Sequence, residues 1–275
     1  MAMSMTKRPE LQATRPSLVQ NLVRQAPAYV VIFRRVLRGT MFSGFVSPVL
    51  FLLGMGVGLG GFVDRNTGGG VGGAPSYLIF LAPGLLAMHA MQIAAFESSY
   101  PVVAGLKWTK FYHAMANTPL RVIDIVLGAL GFVLVRLLIV TAVFTLVLLA
   151  FGAVTSWVWL LAVPAAVLVG AAHAAPTMAM AGFAREESWL ALYFRLLIVP
   201  MGLFSGAFFP LSQLPHVLQV LARVVPLWHG VELVRGITLH TLSPSAGLVH
   251  VGYLLAWSVA GTLVAVRMFR RRLVL

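Results

Sequence analysis

Long apolar runs separated by short polar breaks dominate this chain, and their lengths predict membrane-crossing helices. Six runs reach the roughly 20 apolar residues that a bilayer-spanning helix needs. They occupy about 42–63, 77–96, 122–151, 157–183, 190–209 and 248–266. Ahead of the first, Tyr29, Ile32, Phe33, Val36 and Leu37 fall at helical spacing while Arg34, Arg35 and Arg38 take the other face. That amphipathic pattern predicts a helix over 28–40 lying in the membrane interface, although it also fits an extension of the first span. Residues 1–27 are polar and basic, are interrupted by Pro9, Pro16 and Pro27, and read as a loosely ordered tail. No apolar core of a cleavable signal peptide precedes the first span, so that span is expected to stay. The chain thus divides into a tail (1–27), an interfacial helix (28–40) and a membrane domain (41–275).

One stretch breaks the rule. Residues 203–236 are apolar enough for membrane depth, yet Pro210, Pro215 and Pro226 cut them into pieces. No piece after Pro210 is long enough to cross. Backbone broken at that depth is tolerated only where protein buries it or a cavity is lined by it. A hairpin dipping into the membrane and returning to the same side is expected here. Within the first span, Gly54, Gly56, Gly58 and Gly60 form two overlapping GxxxG pairs that allow close approach of another helix. The loop 64–75 is glycine-rich, and 104–121 is a polar-aromatic break long enough for a short helix before Pro119. Pro200 predicts a kink in span five, and His173 with Pro176 a kink in span four.

Composition supports the membrane class. Of 275 residues 60% are hydrophobic and 10% charged, with mean hydropathy +0.93, where a soluble domain carries about a quarter charged residues. A net charge of +13 would suggest nucleic acid in a soluble protein. Here the basic residues flank apolar spans, so an anionic membrane face explains them and no nucleic-acid partner is expected. With the N-terminus inside, the inner segments hold the basic tail, Lys107, Lys110, Arg121, Arg185, Arg267 and Arg270 to Arg272. The outer segments hold only Arg65, Arg223 and Arg235. The positive-inside rule therefore puts both termini in the cytoplasm.

Candidate chemistry is sparse. There are no cysteines, hence no disulfides or thiolate metal sites. No phosphate-binding GxxxxGK[ST] loop occurs, and the glycines of 68–73 have no lysine after them. HExxH is absent, and the histidines are scattered rather than spaced as metal ligands. Only seven acidic residues are present, so no metal site, resident cofactor or catalytic centre is expected. Energy for any work would come from another chain or an ion gradient. An ion-coupled carrier would carry acids deep in its spans, and a lipid-modifying membrane enzyme would converge polar groups at one face; neither pattern is evident. Arg136 lies inside span three, where an unpaired charge costs at least about 2.5–3.5 kcal/mol. It is expected to pair with Glu97 or to face an anionic cargo headgroup.

The block Phe204-Ser205-Gly206-Ala207-Phe208-Phe209-Pro210, then Gln213-Leu214-Pro215, then Pro226-Leu227-Trp228-His229-Gly230-Val231-Glu232-Leu233 and Arg235-Gly236 resembles type-2 ABC transporter permeases. It is most similar to their nodulation-factor (lipo-oligosaccharide) and drug exporter branch. Phe96-Glu97, Tyr112, Thr118-Pro119 and Asp124 agree with that branch, and so does Arg38-Gly39-Thr40. The resemblance implies an all-α permease of the bacterial cytoplasmic membrane that pairs with a second copy. It also implies two separate ATP-binding subunits, which hold ATP and Mg²⁺ while this chain holds no cofactor. It implies a coupling helix at 105–117 with Lys107, Trp108, Lys110, Phe111 and Tyr112 facing the motor. The family pattern has an acidic residue between Glu97 and Asp124; this chain has none. Two re-entrant helices at 211–224 and 227–239 would form an outer gate involving Phe208, Phe209, Pro210, Pro215, Pro226, Trp228, His229, Glu232 and Arg235. The implied cargo is an amphiphile: a lipid-linked saccharide, a lipo-oligosaccharide or a hydrophobic drug.

Overall fold

A computed structural model describes residues 17–274 except Gly69, and describes no side chain at 35–38, 40–43 or 47. Twelve α-helices account for most of the described chain. The first, α1 (Leu18–Phe51), continues without a break through a π-helical stretch (Leu52–Leu59) into α2 (Gly60–Thr67). α3 (Tyr77–Glu97) leads through α4 (Tyr100–Lys107) and α5 (Phe111–Ala116) to α6 (Val122–Ala150). α7 (Trp159–Phe183) follows, then α8 (Glu187–Tyr193), a π-helical turn (Phe194–Ile198) and α9 (Val199–Phe204). α10 (His216–Val224), α11 (Pro226–Thr238) and α12 (Pro244–Leu273) complete the order. Among the described residues, six helical segments are long and apolar enough to cross a membrane: Gly44–Thr67, Tyr77–Lys107, Val122–Ala150, Trp159–Phe183, Glu187–Phe204 and Pro244–Leu273.

The start of α1 corrects the expected boundary. Ser17 caps the helix, its Oγ accepting from the Gln20 amide at 3.3 Å while Gln20 Oε1 accepts from Ser17 at 3.0 Å. One turn later Asn21 donates to Asp124 Oδ2 at 2.8 Å, and Gln25 Nε2 donates to the Asp124 carbonyl at 3.1 Å. Residues 18–27 are therefore a helix pinned to the start of α6, not a loose tail. No gap separates the expected interfacial helix from the first span. Within its apolar stripe Tyr29 stacks on Phe132, ring centroids 5.2 Å apart. The side chains of Val36, Leu37, Arg35 and Arg38 lie outside the described residues, as does the chain before Ser17. Span one also runs further than expected, with α2 reaching Thr67 and Asp64 Oδ1 accepting from the Tyr77 amide at 2.8 Å.

α7 lies at the centre, packed against α3, α6, α11 and α12. Its buried face is small, with Ala162, Ala166, Gly170, Ala174 and Ala181. Helices in lipid gain little from hydrophobicity alone, so close backbone approach through small residues supplies the contact. A Cβ at Gly261 of α12 would stand 2.6 Å from Pro176. Arg272 of α12 finishes the pairing by donating to the Gly182 carbonyl at 3.1 Å and to that of Ala184, which satisfies buried carbonyls at the C-terminal end of α7. One end of the bundle thus gathers the start of α1, the α4–α5 segment and the ends of α7 and α12, with most of the basic residues. The opposite end holds the α2–α3 loop and α10–α11.

Candidate functional site

At the basic end, the expected coupling helix is two helices. α4 stops at Lys107 and α5 starts at Phe111, with Lys110 between them in the left-handed region at φ 53°. The elbow lifts Trp108 out to 65% exposure and leaves Lys110 exposed and Lys107 half-buried. Phe111 is half-buried, edge-on to Tyr29 at 6.1 Å. Tyr112 is a correction: it is buried, edge-on to Phe269 at 5.3 Å, and cannot face a partner. A Cβ at Gly105 would stand 2.5 Å from its ring, so that glycine lets Tyr112 tuck beneath α4. Burial raises the Tyr112 hydroxyl above the usual phenol range. The same cause, with Tyr112 adding to it, raises Tyr29, so both stay neutral.

Behind the elbow lies a cavity of about 720 Å³. Tyr29 and Ile32 of α1, Phe96 and Glu97 of α3, Phe111 of α5, and Phe132 and Arg136 of α6 line it. Arg136 Nη1 donates to Glu97 Oε2, and both side chains are largely buried. Between a guanidinium in span three and a carboxylate ending α3, that contact removes two isolated charges from apolar surroundings.

At the opposite end the broken stretch is held by side chains. α9 ends at Phe204, and the backbone from Ser205 to Pro210 makes no helix. Gly206 turns it at φ 80°, a conformation glycine adopts without strain. The freed carbonyls find partners: Arg235 Nη2 donates to Gly206 at 2.9 Å and to Ala207 at 3.2 Å, and its Nε to Phe80 at 3.3 Å. The Tyr77 hydroxyl donates to the Phe208 carbonyl at 3.0 Å. Arg235 is 8% exposed, sits over the Phe80 ring at 3.9 Å and reaches Glu232 at 3.7 Å. Gly84 of α3 makes room, since a Cβ there would lie 2.7 Å from the Ala207 oxygen. Tyr77, Phe80 and Gly84 escaped the sequence reading, although Pro83-Gly84 inside a span was a signal for close backbone approach.

α10 and α11 meet at 87°. At nine and 13 residues they are about 14 and 20 Å long, and the bend keeps them from acting as one span. Pro215 and buried Pro226 start the two helices. His229 Nε2 donates to the Arg223 carbonyl at 3.0 Å, which leaves its Nδ1 to accept from His250 Nδ1 at 2.9 Å. Tyr253 stacks on His229 at 3.9 Å and donates to the Val224 carbonyl. Trp228 lies edge-on to both imidazoles. α12 thereby clamps the corner. Phe208 packs on Phe51 at 5.7 Å, and with Phe209, Pro210 and Met55 it lines a cleft of about 850 Å³ against span one. Of the span-one glycines, Gly56 and Gly60 face Leu78 and Tyr77 of α3, whereas a Cβ at Gly54 would meet nothing and one at Gly58 only its own helix. Among the described residues no cluster of three metal-ligating side chains occurs.

The sequence profile of the ABC-2 type transporter family matches residues 29–239. Nodulation protein J of Rhizobium meliloti (strain 1021) is 32% identical over 242 residues, covering 88% of this chain and 89% of the relative. Its counterpart in Rhizobium leguminosarum bv. trifolii is 34% identical over 245 residues, 88% and 90% of the two chains. That of Neorhizobium galegae is 32% identical over 259 residues, 94% and 96%. No solved structure matches the chain significantly.

Proposed function

From its membership of the ABC-2 type transporter family, to which this chain belongs, we propose that it is the membrane subunit of an ATP-driven exporter of amphiphiles. The observation that carries the reading is a family match extending through the spans to a re-entrant corner, in a chain with no phosphate loop of its own. The resemblance of residues 204–236 to lipo-oligosaccharide and drug exporters supports a saccharide-bearing amphiphile as cargo, with hydrophobic drugs as the alternative; relatives named nodulation protein J fit the same branch. Two copies, facing each other in the bacterial cytoplasmic membrane, would recruit two ATP-binding subunits that hold ATP and Mg²⁺. The basic end would face the cytoplasm, where the exposed Trp108 and Lys110 at the elbow offer the motor a stiff contact. ATP binding would shift the pair toward an outward-open state. Cargo would leave along span one beside Phe208, Phe209 and Pro210, with the α10–α11 corner as the gate.

The test is export by cells carrying this chain together with an ATP-binding subunit that has a phosphate loop, sought first in the adjacent reading frames. Deleting the chain should leave a surface-exposed lipid or saccharide inside the cell, read by comparative lipid and glycan profiling. Trp108→Ala should lower cargo-stimulated ATPase activity at least tenfold with membrane insertion unchanged, and Phe111→Ala should act likewise. Normal coupling in both variants would remove the elbow from the motor contact, and an unchanged profile on deletion would remove the exporter reading.

A further inference from the structure

The cavity behind the elbow shares Phe111 with the motor contact and has no other part in the cycle just described. Its walls are aromatic, with Tyr29, Phe96, Phe111 and Phe132. Its polar lining is the Glu97–Arg136 pair with Tyr29, Tyr112 and Thr109, the last already donating to the Ala104 carbonyl. Tyr29 is 9% exposed, and its buried hydroxyl meets no hydrogen-bond partner among the described residues. A buried hydroxyl in that condition costs about 1–3 kcal/mol, which a ligand able to hydrogen-bond there would recover. Among the described lining residues Arg136 is the one cation and Glu97 the one anion, and each neutralises the other. An anionic head would have to pull Arg136 away from Glu97, and a cationic head the reverse. A neutral head with hydroxyl groups can donate to Glu97 and accept from Arg136 and Tyr29 while the pair stays joined. Aromatic walls suit the C–H faces of such a head and the methylenes next to it.

We propose that this cavity is a binding site for the uncharged, hydroxyl-bearing head of an amphiphile, a glycosyl or glyceryl group, held by the Glu97–Arg136 pair and the Tyr29 hydroxyl. The proposal deepens the exporter reading and rests on it for the suggestion that the ligand is cargo; the binding itself is measurable without transport. The head of a cargo molecule and that of a resident glycolipid share this chemistry. Because the cavity adjoins the elbow, its occupant would reach the motor contact and the bundle together.

The full chain, reconstituted in phosphatidylcholine nanodiscs, is labelled with a photoactivatable alkyl glucoside. Alkyl phosphate and alkyl trimethylammonium probes of equal chain length serve as comparisons. Labelled peptides from 96–112 and 129–136 are expected with the glucoside, at least tenfold above either charged probe. Ala129→Phe, which fills the cavity, should reduce that labelling at least tenfold. Tyr29→Phe, which removes one oxygen and keeps the ring, should reduce it about fivefold. Equal labelling by all three heads, or labelling untouched in Tyr29→Phe and in a folded Ala129→Phe, would overturn the proposal. With the ATP-binding subunit and ATP added, release of the label marks cargo and retention marks a resident lipid, and either result keeps the site. Labelling here without export in cells would leave the site and remove the transport reading; export without labelling would do the opposite.

Discussion

A guanidinium inside an apolar bundle is costly unless its donors find acceptors, and Arg235 finds them on the backbone. Its contacts to Phe80, Gly206 and Ala207 satisfy carbonyls that the break after α9 would otherwise leave bare. Replacing it with methionine keeps the stem and removes the donors. Arg235→Met should therefore cost about 3 kcal/mol, read as a lower melting temperature of the purified protein. Arg235→Lys should recover only part of it, because a compact ammonium cannot span three carbonyls on two segments. Wild-type melting in Arg235→Met would mean that the broken stretch is held by packing alone. From the sequence, Arg235 was visible as an outer basic residue of the implied gate, three residues from Glu232, and the structure pairs the two at 3.7 Å. The carbonyl contacts were not visible, because Phe80 is 155 residues distant and backbone acceptors leave no mark in composition. Tyr112 misled for the same reason. An aromatic beside lysines fits either a partner-facing surface or a core, and only Phe269 and Gly105 decide which.

Elements were read more reliably than residues, since hydropathy and proline act locally. The six spans and the corner between α10 and α11 follow from run length and from Pro210, Pro215 and Pro226. The start of α1 did not, because Asn21 and Gln25 are polar, and only their distant partner Asp124 turns them into a buried contact. The π-helical stretch at Leu52–Leu59 carries no proline to announce it. It sorts the glycines of span one by direction, and that makes a prediction. A Cβ at Gly56 would lie 2.8 Å from the Leu78 side chain, whereas one at Gly54 would meet open space. Gly56→Leu should destabilise the isolated subunit, dispersed as a monomer in detergent, by about 1–3 kcal/mol through overpacking, while Gly54→Leu should leave that monomer melting like wild type. Thermal unfolding of the two variants, measured side by side, decides it. Equal losses would mean that both glycines pack inside the subunit.

For the whole molecule, the distribution of exposed apolar surface matters most. Within the described chain, span one is exposed at Leu50, Leu53, Val57 and Phe62, and span five at Leu192, Leu196, Leu197 and Leu203. α3 and α7 are largely buried. Span six is covered as weakly, exposed at Leu248, Val259 and Leu263. Of these three spans, one and five contain π-helical segments, which recur at functional positions. Lipid can cover such faces, but lipid gives no reason for Gly54 and Gly58 to point outward together. A second copy, as proposed, would supply one, since small residues allow two helix backbones to approach. The chain has no cysteine, so a single introduced one reports on that contact without a background. Across a two-fold axis the reporter pairs with itself, and a disulfide forms only where the two Cα atoms come within about 7 Å. A cysteine scan through Leu53, Gly54, Val57, Gly58 and Gly61 in native membranes should give covalent dimers at one or two positions about a turn apart. Cysteine at Leu146 of α6 or Leu161 of α7, each more than half exposed, should give none. Cross-linking that favours Leu146 or Leu161, or that is absent along the whole of span one, would remove span one as the face for a second copy.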